Sequence, residues 1–219
     1  SGEAFYALSP SSADLTKKGI LELINWQRED STIYSPVPEG NYNRELPGQM
    51  LASVGYYGFW NYYLNTGDRR TIEKVYDGVK KYLDVWKLKP NGTLVERTGG
   101  WYWGDWGEQV DKQLLYNAWY YLALKGYRNM SELFNKKEEA QRTENEMKAL
   151  KAAFNSVFWD GKGYRTAEYE GEYDDRAQAL AVVSGLADEE KYDELLNIFK
   201  NSHLASPYME KYVLEALFV

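Results

Sequence analysis

Apolar positions recur at helical spacing along almost all of this 219-residue chain and predict about eight helices. The first is expected over 12–27, with Leu15, Ile20, Leu21, Leu23, Ile24 and Trp26 on one face and Ser11 or Ser12 as cap. A loop, 28–45, holds Pro36, Pro38, Gly40 and several Asn. The second helix, 47–65, is apolar on nearly every side, from Met50 through Phe59 and Trp60 to Leu64, and such a helix is a buried one. Gly67 is its stop signal. The third, 68–86, sets Ile72, Val75, Tyr76, Val79, Tyr82 and Leu83 against a charged face, and ends before the turn Lys89-Pro-Asn-Gly92. The fourth, 108–124, is again rich in buried types, including Leu114, Leu115, Trp119 and Leu122. The fifth, 131–158, has a solvated Glu/Lys-rich side, 136–148, opposite Leu133, Phe134, Met147, Leu150 and Phe154. After a tight turn, Asp160-Gly-Lys-Gly163, the sixth helix, 174–186, is small and apolar, and the seventh, 189–201, is amphipathic. The eighth is expected to start at Ser206-Pro207, a cap followed by proline at the first helical position, and to run to the end of the chain.

Amphipathic helices (first, third, fifth, seventh) thus alternate with buried ones (second, fourth, sixth, eighth). A double-layered ring of helical hairpins, outer helix then inner, has this pattern. Solenoid repeats of the TPR or HEAT kind would show fixed periods and signature residues, which are missing. The expected fold class is all-α, an incomplete (α/α)6 toroid. Eight helices are too few for a ring of twelve, so residues 1–219 are expected to be a single toroid domain truncated at both ends.

The richest local chemistry is Trp101-Tyr-Trp-Gly-Asp-Trp-Gly-Glu-Gln-Val-Asp111, which packs three tryptophans, a tyrosine and three acids into eleven residues behind a Gly99-Gly100 pair. Flat aromatic faces stack on the C–H face of a sugar ring and carboxylates bind its hydroxyls. A packed loop is the other reading. Acids interleaved with tryptophans favour sugar contact, because a core seldom takes charges unless they are paired. Asp105, flanked by Trp103 and Trp106, is the expected hydroxyl ligand; Trp106 is the expected stacking platform, with Trp101 and Trp103 as further candidates. Trp26, Trp60, Trp86, Trp119 and Trp159 fall on helical faces or a helix end and are expected in the core.

Composition narrows the classes. Net charge is −7 with acids and bases intermixed, so neither a basic nucleic-acid stripe nor a polybasic membrane patch is present. No run is long and apolar enough to span a bilayer, and no secretory signal pattern is visible. Without cysteine there is no disulfide or thiolate chemistry, and cytoplasm, periplasm and secretion all remain compatible. His203 is the sole histidine; it reads as a loop or surface residue, which argues against a zinc site or a Ser-His-Asp triad. No metal or cofactor is expected.

Several patterns together resemble the catalytic module of α-L-rhamnosidases, glycoside hydrolase family 78. They are Ile24-Asn-Trp-Gln-Arg-Glu-Asp30 with Ser35-Pro-Val-Pro38, Tyr62-Tyr-Leu-Asn-Thr-Gly-Asp68, Gly104-Asp-Trp106, Ala153-Phe-Asn155 with Phe158-Trp-Asp-Gly161, Ser184-Gly-Leu186, and Ser206-Pro-Tyr208 with Tyr212 and Glu215-Ala-Leu217. The resemblance implies an (α/α)6 toroid, a rhamnosyl or related carbohydrate as partner, and inverting hydrolysis. It also implies that the general acid lies in a Glu-Arg-x-Gly-Trp-x-Gly-Asp segment before the region present here, and the base in a Trp-Glu motif after it. Neither motif occurs in this sequence. The chain then looks like a middle piece of a larger parent, lacking both catalytic carboxylates, with Asp105 and Trp106 at a family position that lines the sugar site.

An inverting glycosidase needs two carboxyls about 6.5–9.5 Å apart. In an α/α toroid the pocket lies where the inner helices begin, and the acids in that zone are Glu45, Asp105, Glu108, Asp111, Asp174 and Asp175. Glu108 and Asp111 are weak catalytic candidates, since acids in the first turn of a helix also simply favour the macrodipole. Asp174 suits an N-cap, and Arg176 suits pairing with a neighbouring acid. Three functions stay open: a rhamnosidase-like hydrolase, an (α/α)6 hydrolase or lyase for another sugar, and a non-catalytic module that binds carbohydrate or protein. A substrate panel separates the first two; binding without turnover marks the third.

Overall fold

The computed structural model describes residues 9, 11–34 and 45–219. The Pro36–Pro38 loop and the expected motif at Ser35 lie outside the described residues. The elements are α1 (Ser12–Asn25), α2 (Pro47–Val54), a π-helical turn (Tyr56–Trp60), α3 (Asn61–Thr66), α4 (Arg69–Val85), α5 (Lys112–Leu133), α6 (Lys137–Phe158), α7 (Asp175–Ser184), a 3-10 turn (Glu189–Lys191), α8 (Tyr192–Asn201) and α9 (Glu210–Ala216). Among the described residues, counting α2 to α3 as one interrupted helix gives the eight expected segments. Among the described residues there is no strand, only the isolated bridges Leu88–Leu94 and Trp159–Tyr164. The chain is all-α.

The chain divides into two compact units. One holds the described residues up to Lys87 with Arg97–Tyr102 and Leu122–Glu146; the other holds Leu88–Glu96, Trp103–Tyr121 and Met147–Val219. The first unit buries Met50, Leu51, Val54, Phe59 and Tyr62 of the α2–α3 stretch. Helix α5 comes close to that stretch through glycines. A Cβ on Gly126 would lie 2.7 Å from the Gly55 carbonyl carbon, and one on Gly55 would lie 3.0 Å from the Ala123 Cα. Gly55 is extended and breaks the helix; its carbonyl then accepts from both Gly58 and Trp60, which opens the π turn. Only glycine fits at 58, since a Cβ there would overlap the Ser53 carbonyl oxygen. Three elements are tied by polar side chains: Tyr76 of α4 bonds Tyr127 (2.9 Å) and Ser131 (2.8 Å) of α5, while Tyr127 and Lys80 donate to Glu139 of α6 at 3.2 and 2.7 Å.

In the second unit, α7 buries nine of its ten residues, all except Val183. Two buried amides splint irregular backbone. Asn117 accepts the Leu94 N–H, and Gln178 takes both the N–H and the carbonyl of Tyr164. Each supplies a partner that a loop group would otherwise lack away from water.

Several boundaries differ from the sequence reading. The fourth helix begins at Lys112, not 108, because Gly107 (φ 103°) and Gln109 (φ 55°) adopt left-handed backbone that a helix cannot contain. It then continues to Leu133, and the fifth starts at Lys137 instead of 131, because Asn135 takes φ 56° and the Lys136 N–H turns back to the Ser131 carbonyl. The last helix starts at Glu210 after a turn at 207–209, so Pro207 is not its first residue. Trp86 and Trp119 are core, and Trp60 and Trp159 partly so. Trp26 instead follows the end of α1, 48% exposed, with its indole N–H on Glu22.

Two outcomes follow for the first unit. Gly126→Ala gains up to about 1 kcal/mol of helix propensity but overpacks against backbone that cannot rotate away, at about 3 kcal/mol. A net loss of about 2 kcal/mol is expected, read as a lower urea midpoint. Glu139, held at about 2 by the Lys80 hydrogen bond and by Arg142, sits below its unfolded value. Its contribution is therefore full above about pH 4.3 and fades as pH falls through about 2. The stability gap between the native chain and Glu139→Gln should be constant from pH 5 to 7 and close on acidification, measured by denaturant titration; a flat gap would refute the assignment.

Candidate functional site

The tryptophan-rich stretch contributes to both units. In the first, Trp101 is 44% exposed and its N–H donates to the Glu45 carbonyl at 3.1 Å. Gly99 sits against Pro47 and the Glu45 backbone with φ 55°, an approach and a conformation that exclude a side chain. The Glu45 carboxylate is buried, paired with Arg97 at 2.7 Å and reached by the Tyr82 hydroxyl at 3.2 Å. Burial pushes Glu45 up, against the pull of Arg97.

In the second unit, Trp103 and Trp106 meet edge to face with ring centroids 5.4 Å apart, and Trp103 also faces Tyr208 at 6.0 Å. Trp106 is 64% exposed, Tyr208 is on the surface, and Trp103 is half-buried. Together they form an aromatic face with its backbone fastened below, where the Tyr116 hydroxyl donates to the Trp103 carbonyl at 3.0 Å.

Asp105 stands beneath this face. Its side chain is fully buried, contrary to the expectation of a carboxylate presented to ligand. It accepts from the Ser206 N–H (2.9 Å), the Ser206 hydroxyl (2.5 Å) and Arg176 Nη1 (3.4 Å). Arg176, equally buried, also donates from Nε to Asp174 at 2.6 Å and from Nη2 to the Gln109 carbonyl at 2.8 Å. Asp174 caps α7 by accepting the Arg176 N–H, as its position suggested. Its other oxygen takes the Asp111 N–H.

Asp111 is the residue before α5, not part of its first turn. One oxygen accepts from the Leu114 N–H and the Thr166 hydroxyl, the other from the Thr166 N–H at 2.8 Å. With both oxygens bonded inside the protein and its side chain buried, it acts as a cap and loop anchor. Asp175 likewise accepts from the Leu204 and Ala205 N–H groups. Burial pushes Asp111, Asp174 and Asp175 above the usual carboxylate range. Glu108 lies four residues ahead of α5, exposed. His203 is also exposed.

Ser206, Tyr208 and Gln109 are participants that the sequence reading did not assign. Ser206-Pro-Tyr208 carries a signal only as a helix start and as one of the resembling motifs, and Gln109 only as a member of the tryptophan-rich stretch. Among the described residues no group of three or more acid or histidine side chains is placed to hold a metal ion, and no helix is long and apolar enough to cross a membrane.

Comparison with known proteins locates this architecture. Residues 10–202 match the model of the bacterial α-L-rhamnosidase six-hairpin glycosidase domain. The structure is similar to that of a GH78 family rhamnosidase of Bacillus sp. GL1, with a TM-score of 0.78 and 18% identity over 94% of this chain. It is also similar to an α-L-rhamnosidase from Dictyoglumus thermophilum, with a TM-score of 0.76 and 19% identity over 94% of this chain. At these identities the likeness is one of fold. The chain spans 23% and 24% of the length of those two proteins. A search among curated proteins finds no match. The match over 10–202 establishes the membership that the fold suggests: this chain belongs to the bacterial α-L-rhamnosidase six-hairpin glycosidase domain family.

Proposed function

We propose that this chain is the middle of an (α/α)6-toroid module in an α-L-rhamnosidase-like, inverting glycosidase, and that its aromatic face carries a terminal rhamnosyl ring. The observation that carries this reading is the grouping of Trp103, Trp106 and Tyr208 on one surface over a buried ionic base. An aromatic platform offers a deoxysugar apolar contact. The polar groups that orient the ring then come from the rim, where Glu108 is exposed. Trp101 is a further candidate contact in its own unit.

Inverting hydrolysis needs one carboxylic acid to protonate the leaving oxygen and one carboxylate to activate water. Asp105, Asp111 and Asp174 are each engaged by donors within the protein, which favours a catalytic pair supplied by other parts of the parent chain. The same engagement supports the runner-up, a carbohydrate-binding piece with no turnover of its own.

Two experiments test the proposal. Trp106→Ala should weaken rhamnose binding about tenfold, a step of about 1.4 kcal/mol in the range of aromatic contacts; titration by tryptophan fluorescence reads it, and unchanged affinity would remove Trp106 from the site. Hydrolysis of an aryl α-L-rhamnoside should appear for residues 1–219 embedded in their parent and not for residues 1–219 alone. Turnover by residues 1–219 alone would place the acid and base within them and point to Glu108. No turnover in either form, with rhamnose still bound, would favour the binding module; activity on another glycoside would correct the sugar.

A further inference from the structure

We propose that Arg176 is a positioning residue that sets the orientation of the Trp103–Trp106–Tyr208 face; its functional weight, though not its structural one, rests on the reading of that face as the sugar platform. Between Trp103 and Val110 the chain has neither helix nor bridge, so its course depends on side-chain ties. Arg176 supplies them in three directions from one planar group: Nε to Asp174, Nη1 to Asp105 and Nη2 to the Gln109 carbonyl. Asp105 passes the constraint to Ser206, two residues from Tyr208, and the Ser206 hydroxyl in turn accepts the Tyr208 N–H at 3.2 Å. One guanidinium therefore links the loop bearing both tryptophans to the loop bearing the tyrosine.

Gln109 shows how tightly the loop is held. It keeps φ 55° without being glycine, a conformation uncommon for such residues. Two donors meet at its carbonyl, Arg176 Nη2 and the Tyr169 hydroxyl, the latter at 2.6 Å. That convergence favours the left-handed backbone from outside the residue. Lysine could not replace this arrangement, since a single ammonium on a flexible stem lacks the fork that reaches three acceptors in fixed geometry.

The test is 19F NMR of the chain labelled with 5-fluorotryptophan, whose eight tryptophans give separate probes. Resonances of Trp103 and Trp106 are assigned by Trp→Phe substitution. Arg176→Lys should displace or split those two resonances while Trp60, Trp86 and Trp119 stay in place. Ser206→Ala should move them as well, and Ser206→Thr, which keeps the hydroxyl, should restore them; a role in stability alone would not sort the probes in this way. If Arg176→Lys folds and leaves Trp103 and Trp106 unmoved, the proposal is overturned. If it does not fold, Ser206→Ala decides, because that change removes one strap and leaves the buried charges paired: unmoved resonances there overturn the proposal equally. The readout needs no sugar. A native chain whose 19F spectrum ignores added rhamnose would count against the platform and not against Arg176.

Discussion

A guanidinium removed from water needs counter-charge and acceptors close at hand, and that requirement organises the second unit around Arg176. Arg176 is fully enclosed, and its partners are two equally enclosed carboxylates and a backbone carbonyl. Breaking a buried pair leaves an uncompensated charge at a cost of about 3–5 kcal/mol. The loop at 103–111, the start of α7 and the loop before α9 are therefore bound into one arrangement by a group that none of them could leave unpaired.

One arginine does not balance four neighbouring acids, and the remaining negative charge is met in two other ways. Backbone N–H groups point at it: Leu114 and Thr166 at Asp111, Leu204 and Ala205 at Asp175, Ser206 at Asp105. Burial also raises Asp111, Asp174 and Asp175, so the charged form is less strongly preferred there than in water. A loop with little regular structure is thus held by its acids, and the aromatic rings above it need not pack as a core to stay ordered. That leaves Trp106 free to be largely exposed.

The helical order was legible because burial follows period. Met50, Leu51, Val54, Phe59 and Tyr62 of the apolar stretch and the small-residue run of α7 are interior, although Leu64 at the end of that stretch is exposed, and Gly67 and Gly185 end their helices in left-handed backbone as glycines do. What escaped were conformations that residue type permits without demanding. Asn135 and Gln109 take positive φ, and nothing in an apolar pattern marks that choice. Trp26 looked like the last member of an apolar face but follows the helix end, where Glu22 takes its indole. The candidate site was legible in part: the density of aromatic residues marks the loop whose Trp103 and Trp106 meet, while the anchoring of Asp105 was hidden because its partners lie 71 and 101 residues away.

Acids among tryptophans suggest catalysis when only the sequence is in view, yet the deciding quantity is how many donors each carboxylate oxygen already has. A general acid or base needs an oxygen free to exchange a proton with a substrate or a water. Asp111 and Asp105 each meet three donors within the protein and are buried, which suits them as anchors. Perturbed ionisation is common to catalytic and structural carboxylates and does not separate them. In the tryptophan loop Asp105 and Asp111 serve geometry, and what they hold in place is the backbone that carries the aromatic surface.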